Sequence, residues 1–358
     1  MKNRILSLGA IALSVFFVNC SNNDDSSSVD PNESLYGNVL TDLSIDVITA
    51  TYKDLNDKAI ALKAAINTLA VTTTEDNLAA VKTAWQATRQ PWEQSEGFLY
   101  GPVDTQGIDP AMDTWPVNVA DMNAILNSGQ TITAALIASN NEARGFHLIE
   151  FLIWGENGTK TAAQLNAREK QYLQAAATDL QNNTQILYDG WKSSGGFYAS
   201  NFINAGINNL LYPSKKAALE EIVDGLITIA DEVANGKIED PLNSEGSTPN
   251  AELEESRFSN NSKLDFANNM RSIQNIYLGQ YNGSQVQGLT RVVALKNANL
   301  DAQIKVKITE AIQAIESIPG TFTNAIYNNR SQVVTAQGKV NELLNILESQ
   351  LKPYINNL

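Results

Sequence analysis

One histidine and one cysteine, His147 and Cys20, stand in a chain of 358 residues, and that scarcity decides which chemistry is open. Ser-His-Asp and Cys-His hydrolase arrangements would all have to draw on His147. Zinc fingers, zinc sites with two histidines and disulfide frameworks cannot be built within one such chain. His147 lies in Arg144-Gly145-Phe146-His147-Leu148-Ile149-Glu150-Phe151-Leu152-Ile153-Trp154. From Phe146 onward only His147 and Glu150 are polar, which predicts a helix buried nearly all round. Their spacing puts imidazole and carboxylate on one helical face. A buried carboxylate without a partner is costly or takes up a proton, so Glu150 needs a cation, an arginine or His147 itself. A hydrogen-bonded core pair and a pair of metal ligands both satisfy that demand.

A second constellation lies upstream: Trp85, Arg89, Trp92 and Glu96, with Glu93 four residues after Arg89. On one helix this face would carry two aromatics, a cation and carboxylates, although Pro91 requires a kink or a restart. A solvated seam would explain the charges, but Trp85 and Trp92 should be buried, and Arg89 and Glu96 sit beside them. Asp109, Asp113 and Trp115-Pro116 follow, where they could cap a cleft.

These residues must be positioned by helices. Prolines leave long uninterrupted windows, and apolar residues recur within them at steps of three and four. Leu55, Ala59, Leu62, Ile66 and Leu69 form one stripe. Leu78, Val81 and Trp85 form a second, and Ile304, Ile308, Ile312 and Ile315 a third. Val340, Leu343, Leu344, Ile346 and Leu347 form a fourth. The expectation is an all-α protein of packed antiparallel helices in two helical-bundle domains, 38–240 and 241–358. Residues 100–117 are too rich in Gly and Pro for a long helix, and 236–250 reads as the linker. Ser139-Asn140-Asn141-Glu142 fits a capping box for the His147 helix, with Gly155 as its stop. Phe151–Gly158 is echoed by Asn275–Gly283, consistent with two related halves.

Acids outnumber bases 39 to 25, a net charge of −14 that argues against nucleic acid as a partner. Lys2, Arg4 and the apolar run from Ile5 to Val18 have signal-peptide length, shorter than a membrane span. The run ends at Val18-Asn19-Cys20 and gives way to Ser- and Asp-rich sequence. This resembles a bacterial lipoprotein signal over 1–19, with Cys20 as the acylated anchor and 20–37 as a polar tether. Asn19 departs from the small residue usual before the cysteine. Loss of Lys2 and Arg4 would take the net charge from −14 to −16. The expected location is the cell envelope, lipid-anchored to the outer membrane on its periplasmic or surface face.

Gly145-Phe146-His147-Leu148-Ile149-Glu150 matches the G-x-H-x-x-E motif of the imelysin-like proteins, also called the iron-regulated protein A family. Trp85-x3-Arg89 with Glu96 and Gly101-Pro102 is similar to a second signature, and Asp113-Thr114-Trp115-Pro116 to a third. Glu255-Ser256-Arg257-Phe258-Ser259, with Asp265-Phe266, resembles the opening of that family's second half. The resemblance runs from about residue 38 to the C-terminus. It implies two helical bundles with the motif residues near their interface, and an association with bacterial iron uptake.

Three functions follow. The first is binding of a metal, iron before zinc, or of an iron-containing ligand, alongside possible iron-transport proteins. Its candidate ligands are His147, Glu150 and Glu96, in a cleft with Trp85, Arg89, Glu93, Asp113 and Trp115. Ser259 and Asp265 join the cleft by resemblance alone. Imidazole and carboxylate oxygen together suit iron. The second is a metallopeptidase using His-x-x-Glu, which lacks the further histidine such sites take as third ligand. The third is a module for a non-metal ligand or protein, served by the tryptophans and tyrosines.

Overall fold

The computed structural model describes residues 31–358 apart from 141 and 247. The signal segment 1–19 and Cys20 therefore lie outside the described residues. Asn32–Leu358 forms one compact unit. The protein is all-α, with 72% of the described residues helical. The strands among the described residues are Gln280–Tyr281 and Ser284–Gln285, paired antiparallel. No described helix is long and apolar enough to cross a membrane.

The four apolar stripes are the core. Leu55, Leu62, Ile66, Leu78, Val81, Trp85, Ile304, Ile308, Ile315, Val340, Leu343 and Leu347 are all buried. Helix starts carry the caps that their sequences offer. Thr74 accepts from the Asn77 N–H ahead of Glu75–Glu93. Asn166 and Glu169 form a reciprocal capping box ahead of Ala167–Trp191. Ser214 and Asn297 cap Lys215–Glu232 and Ala298–Glu316.

A helical run opens the body as Glu33–Asp42, a π-helical stretch Leu43–Thr49 and Ala50–Val71. Tyr36 is already buried, so the polar segment expected to reach residue 37 gives way to helix at Glu33. Ala50–Val71 packs between Glu75–Glu93 and Ala167–Trp191, and Gly145–Trp154 lies against both of the latter. A second group joins Ser262–Leu278, Ala298–Glu316 and Arg330–Ile346. Lys215–Glu232 packs on this second group, and from Glu232 the chain stays helical through Val233–Ile238 and Glu239–Leu242. The irregular segment expected from Gly236 thus begins only at Asn243, because Ile238, Pro241 and Leu242 are buried and hold the helix together.

The two groups meet where Glu75–Glu93 and the 3-10 turn Glu96–Phe98 cross Ser262–Leu278 and Lys215–Glu232. Glycine makes the crossing close. A Cβ on Gly225 would stand 2.3 Å from the Gly97 carbonyl oxygen, and the Gly97 N–H donates to Ser272 Oγ at 2.9 Å.

Candidate metal centre

The helix Gly145–Trp154 starts without the expected capping box. Ser139 instead ends the short helix Ala134–Ala138, Asn140 Oδ1 accepts from the Glu142 N–H, and Asn141 lies outside the described residues. What fixes the helix start is a buried two-pronged pair, Arg144 Nε and Nη2 donating to Asp179 at 2.8 and 2.7 Å. Gly145 follows at φ +79°, and a Cβ there would lie 2.3 Å from the Met112 carbonyl oxygen. Only glycine accepts both that conformation and that approach. The approach sets Asp113, next after Met112, against the imidazole of His147. Gly155 ends the helix as expected.

His147 is fully buried. Its Nδ1 is 3.0 Å from Glu150 Oε2, which holds the ring. Glu150 Oε1 in turn accepts from the N–H and Oγ of Ser259 at 2.8 and 2.7 Å. The other nitrogen, Nε2, faces Asp113 Oδ1 at 3.1 Å and Glu255 Oε1 at 3.6 Å, with neither aligned as a hydrogen bond. The ring of Trp115 closes over the imidazole, centroids 4.9 Å apart. Ligand atoms of Asp113, His147 and Glu255 all lie within 4.8 Å of one another, as do those of Glu93, Glu96 and Asp113.

Arg89 holds the carboxylates in place. The helix Glu75–Glu93 runs unbroken through Pro91, two residues before its end, at the cost of the bond that an N–H there would make to the Ala87 carbonyl. Arg89 is fully buried and reaches Asp113, Glu93 and, at 2.6 Å, Glu255; Asp265 lies 3.7 Å away. Its guanidinium also lies over the Phe146 ring, 5.0 Å from the centroid. Trp92 Nε1 donates to Asp113 Oδ2 at 2.6 Å. Trp85 is spent on packing: its Nε1 donates to the Phe146 carbonyl, and it does not line the cleft.

A second cation sits on the opposite side. Lys237, from the π-helical turn, places Nζ 2.8 Å from Glu96, 3.0 Å from Glu255 and 3.7 Å from Glu93. Asn269 donates to Glu93 and Glu96 at 2.7 and 2.8 Å. Six carboxylates, those of Glu93, Glu96, Asp113, Glu150, Glu255 and Asp265, are each at most 9% exposed. Two permanent cations, Arg89 and Lys237, answer them.

The electrostatics follow from that imbalance. Burial pushes Glu93 up to about 8 even against Arg89 and Lys237, and raises Glu96 well above the carboxylate range with Glu93 adding to it. Asp265 rises to about 6, through burial that Arg89 only partly offsets. Burial opposes ionisation of Glu255 and Asp113 too, yet Lys237 brings Glu255 down to about 2 and Arg89 holds Asp113 below the usual range. Burial lowers His147, but the carboxylates of Asp113, Glu150 and Glu255 outweigh it and raise it well above its ordinary value.

A cleft of about 360 Å³ opens onto this cluster, lined by Glu96, Asp109, Asp113, Trp115, Glu232, Lys237, Asp240 and Glu255 among others. The structure gathers the residues singled out in the sequence into one region but rearranges them: Arg89, Glu93 and Asp265 lie beneath the cleft and do not line it, and Glu96 groups with Glu93 and Asp113 and not with His147. Glu150 stands behind the imidazole, on Nδ1, and the position facing the cleft beside Nε2 belongs to Asp113 and Glu255. Ser259 supports Glu150 rather than lining the cleft. Sequence reasoning gave no role to Glu255, Lys237 or Asn269. Glu255 was visible within the Glu255–Ser259 segment, whereas Lys237 and Asn269 lie in helices with nothing in their spacing to mark them.

Comparison with known proteins identifies the family and the fold. The family model described as Imelysin matches residues 48–350. The chain is 29% identical to iron-regulated protein A of Synechococcus elongatus, over 99% of this chain and 94% of that protein. A crystal structure of an iron-regulated protein A precursor from Parabacteroides distasonis superposes with a TM-score of 0.81 at 26% identity, over 92% of this chain and 97% of that one. An imelysin-like protein from Psychrobacter arcticum gives 0.74 at 14% identity, over 92% and 98%, a likeness of fold.

Proposed function

Because the chain belongs to the imelysin family, we propose that it is a cell-envelope lipoprotein that binds a metal cation, iron first, as part of iron uptake. The observation that carries this reading is the convergence of Asp113, His147 and Glu255, whose ligand atoms lie within 4.8 Å of one another, with His147 Nε2 turned toward both carboxylates. Without a cation, burial keeps Glu93 and Glu96 protonated, and a bound metal takes the place of such protons. Asp113, His147 and Glu255 would hold it; imidazole nitrogen with carboxylate oxygen suits iron, and zinc less distinctively. Glu150 and Ser259 fix the ring from behind, as supports of ligating histidines generally do. Similarity to proteins named iron-regulated protein A supports the choice of iron. Acylation of Cys20 would keep the chain at the outer membrane.

Chelator competition on the full chain tests the reading. Wild type should bind ferrous or ferric iron, and the paired substitution Asp113→Asn with Glu255→Gln should abolish binding while the helical spectrum stays intact. Equal affinity in the two chains would sink it. A peptide-library digest run on the same pair covers the metallopeptidase alternative: cleavage by wild type alone would favour a hydrolytic role.

A further inference from the structure

The amino-terminal segment joins the body at Asn32, beside a loop whose apolar side chains the core does not use. Glu33 pairs with Lys215 at 2.5 Å, and Glu33–Asp42 packs on Ser200–Ile203 and on Lys215–Glu232. Between those two partners the chain turns outward. Ile207 is 61% exposed, Leu210 fully exposed and Leu211 50% exposed.

The loop is built rather than slack. The Gly206 N–H donates to the Tyr212 carbonyl at 2.9 Å, closing its base. Asn209 Oδ1 accepts from the N–H groups of Leu211 and Tyr212 at 2.9 and 3.1 Å, and its Nδ2 donates to the Asn201 carbonyl at 2.6 Å. The backbone therefore fixes Leu210 outward, and three large aliphatic side chains are gathered at one tip. Exposed aliphatics elsewhere among the described residues are scattered singly along the chain, whereas Ile207, Leu210 and Leu211 fall within one hydrogen-bonded loop, as a contact with something apolar would require.

We propose that this loop is the membrane-docking edge of the body, with Ile207, Leu210 and Leu211 entering the headgroup–acyl boundary of the bilayer that holds the lipid on Cys20. The proposal rests on the lipid anchor and is independent of the metal reading. Residues 21–32 can span at most about 40 Å when fully extended, at about 3.3–3.6 Å per residue. They deliver the body to the membrane at Asn32, next to the loop. Three aliphatic side chains would bind a bilayer only weakly from solution, but a tether makes the contact intramolecular and raises its effective concentration. The helical run from Glu33 then points away from the surface, with Val71, 85% exposed, at its far end.

The test uses the full, acylated chain in vesicles of phosphatidylethanolamine and phosphatidylglycerol. Acylation consumes the Cys20 thiol, so Leu210→Cys offers a single site for an environment-sensitive fluorophore, and Val71→Cys serves as the distal control. The expected result is a blue shift and severalfold brightening at 210, quenched by spin-labelled lipid, with no change at 71. A label placed by Ile207→Cys should respond likewise, and should lose that response when Leu210→Ser and Leu211→Ser are added, although the chain still floats with the vesicles. Flotation with an unchanged label at 210 would overturn docking and leave the anchor standing. Failure to float would overturn both. A label that responds to added envelope protein but not to lipid would also overturn the proposal, in favour of a protein partner.

Discussion

His147 Nε2 faces Asp113 Oδ1 at 3.1 Å across a boundary that exists only because Gly145 lacks a side chain. The loop carrying Asp113 passes so close to the start of the His147 helix that its Met112 carbonyl occupies the space where a Cβ at 145 would be. Glycine, histidine and glutamate of the motif therefore have three separate tasks: closeness, an imidazole nitrogen facing Asp113, and a brace behind the ring.

Gly145→Ala should separate Asp113 from His147. The substitution forces a left-handed φ on a residue with a side chain and a clash with backbone, which together cost on the order of 1–3 kcal/mol or more. Urea unfolding should register that loss, and iron affinity should fall although no ligand has been changed. Unaltered stability and affinity would show that the loop can move aside without consequence.

Glu150→Gln keeps the shape of the brace but removes the charge that favours a proton on Nδ1. The expected loss of metal affinity is about 10–100-fold, the range for supports of ligating histidines, with folding preserved. A complete loss of binding, equal to that of the paired change at Asp113 and Glu255, would make Glu150 a ligand instead.

Lys237→Met removes one of the two permanent cations from the centre. Breaking a buried charged set typically costs about 3–5 kcal/mol, so the metal-free chain should be markedly less stable in denaturant titrations. Its affinity for iron should rise, because Glu96 and Glu255 lose their internal competitor. A fall in affinity would mean that Lys237 orders the ligands rather than standing in the cation's place.

The metal-free chain should lose stability as pH rises from about 5 to about 8. Asp265 and Asp109 are held near 6 and Glu93 near 8, each chiefly by burial. Carboxyls with folded values above their ordinary ones bind more protons folded than unfolded, so raising pH across that window disfavours folding. Glu255, held at about 2, contributes with the opposite sign, but its share is complete above the ordinary carboxylate range and is lost only in stronger acid. Unfolding of chelator-treated protein across pH checks the slope. A stability that climbed from pH 5 to 8 would contradict the burial assigned to these groups.

Periodicity alone determined the helical class and its core. The stripes at Leu55–Leu69, Leu78–Trp85, Ile304–Ile315 and Val340–Leu347 are buried because an apolar residue every third or fourth position leaves a helix no other way to hide them. The sequence also singled out His147 and Glu150, since two polar residues in an otherwise apolar helix must find partners. Tertiary structure alone decided which partners. Glu150 turned to Ser259, and Glu255 and Lys237 came to the opposite side of the ring from segments more than a hundred residues from Glu93 and Glu96. The same holds for the helix through Gly236, Pro241 and Leu242, where breakers suggested a linker. Local composition records the backbone's preferences, whereas burial of Ile238 and Leu242 against distant helices outweighs them. Charge pairing inside a core depends on which helices cross and how closely, and no spacing along one chain encodes that.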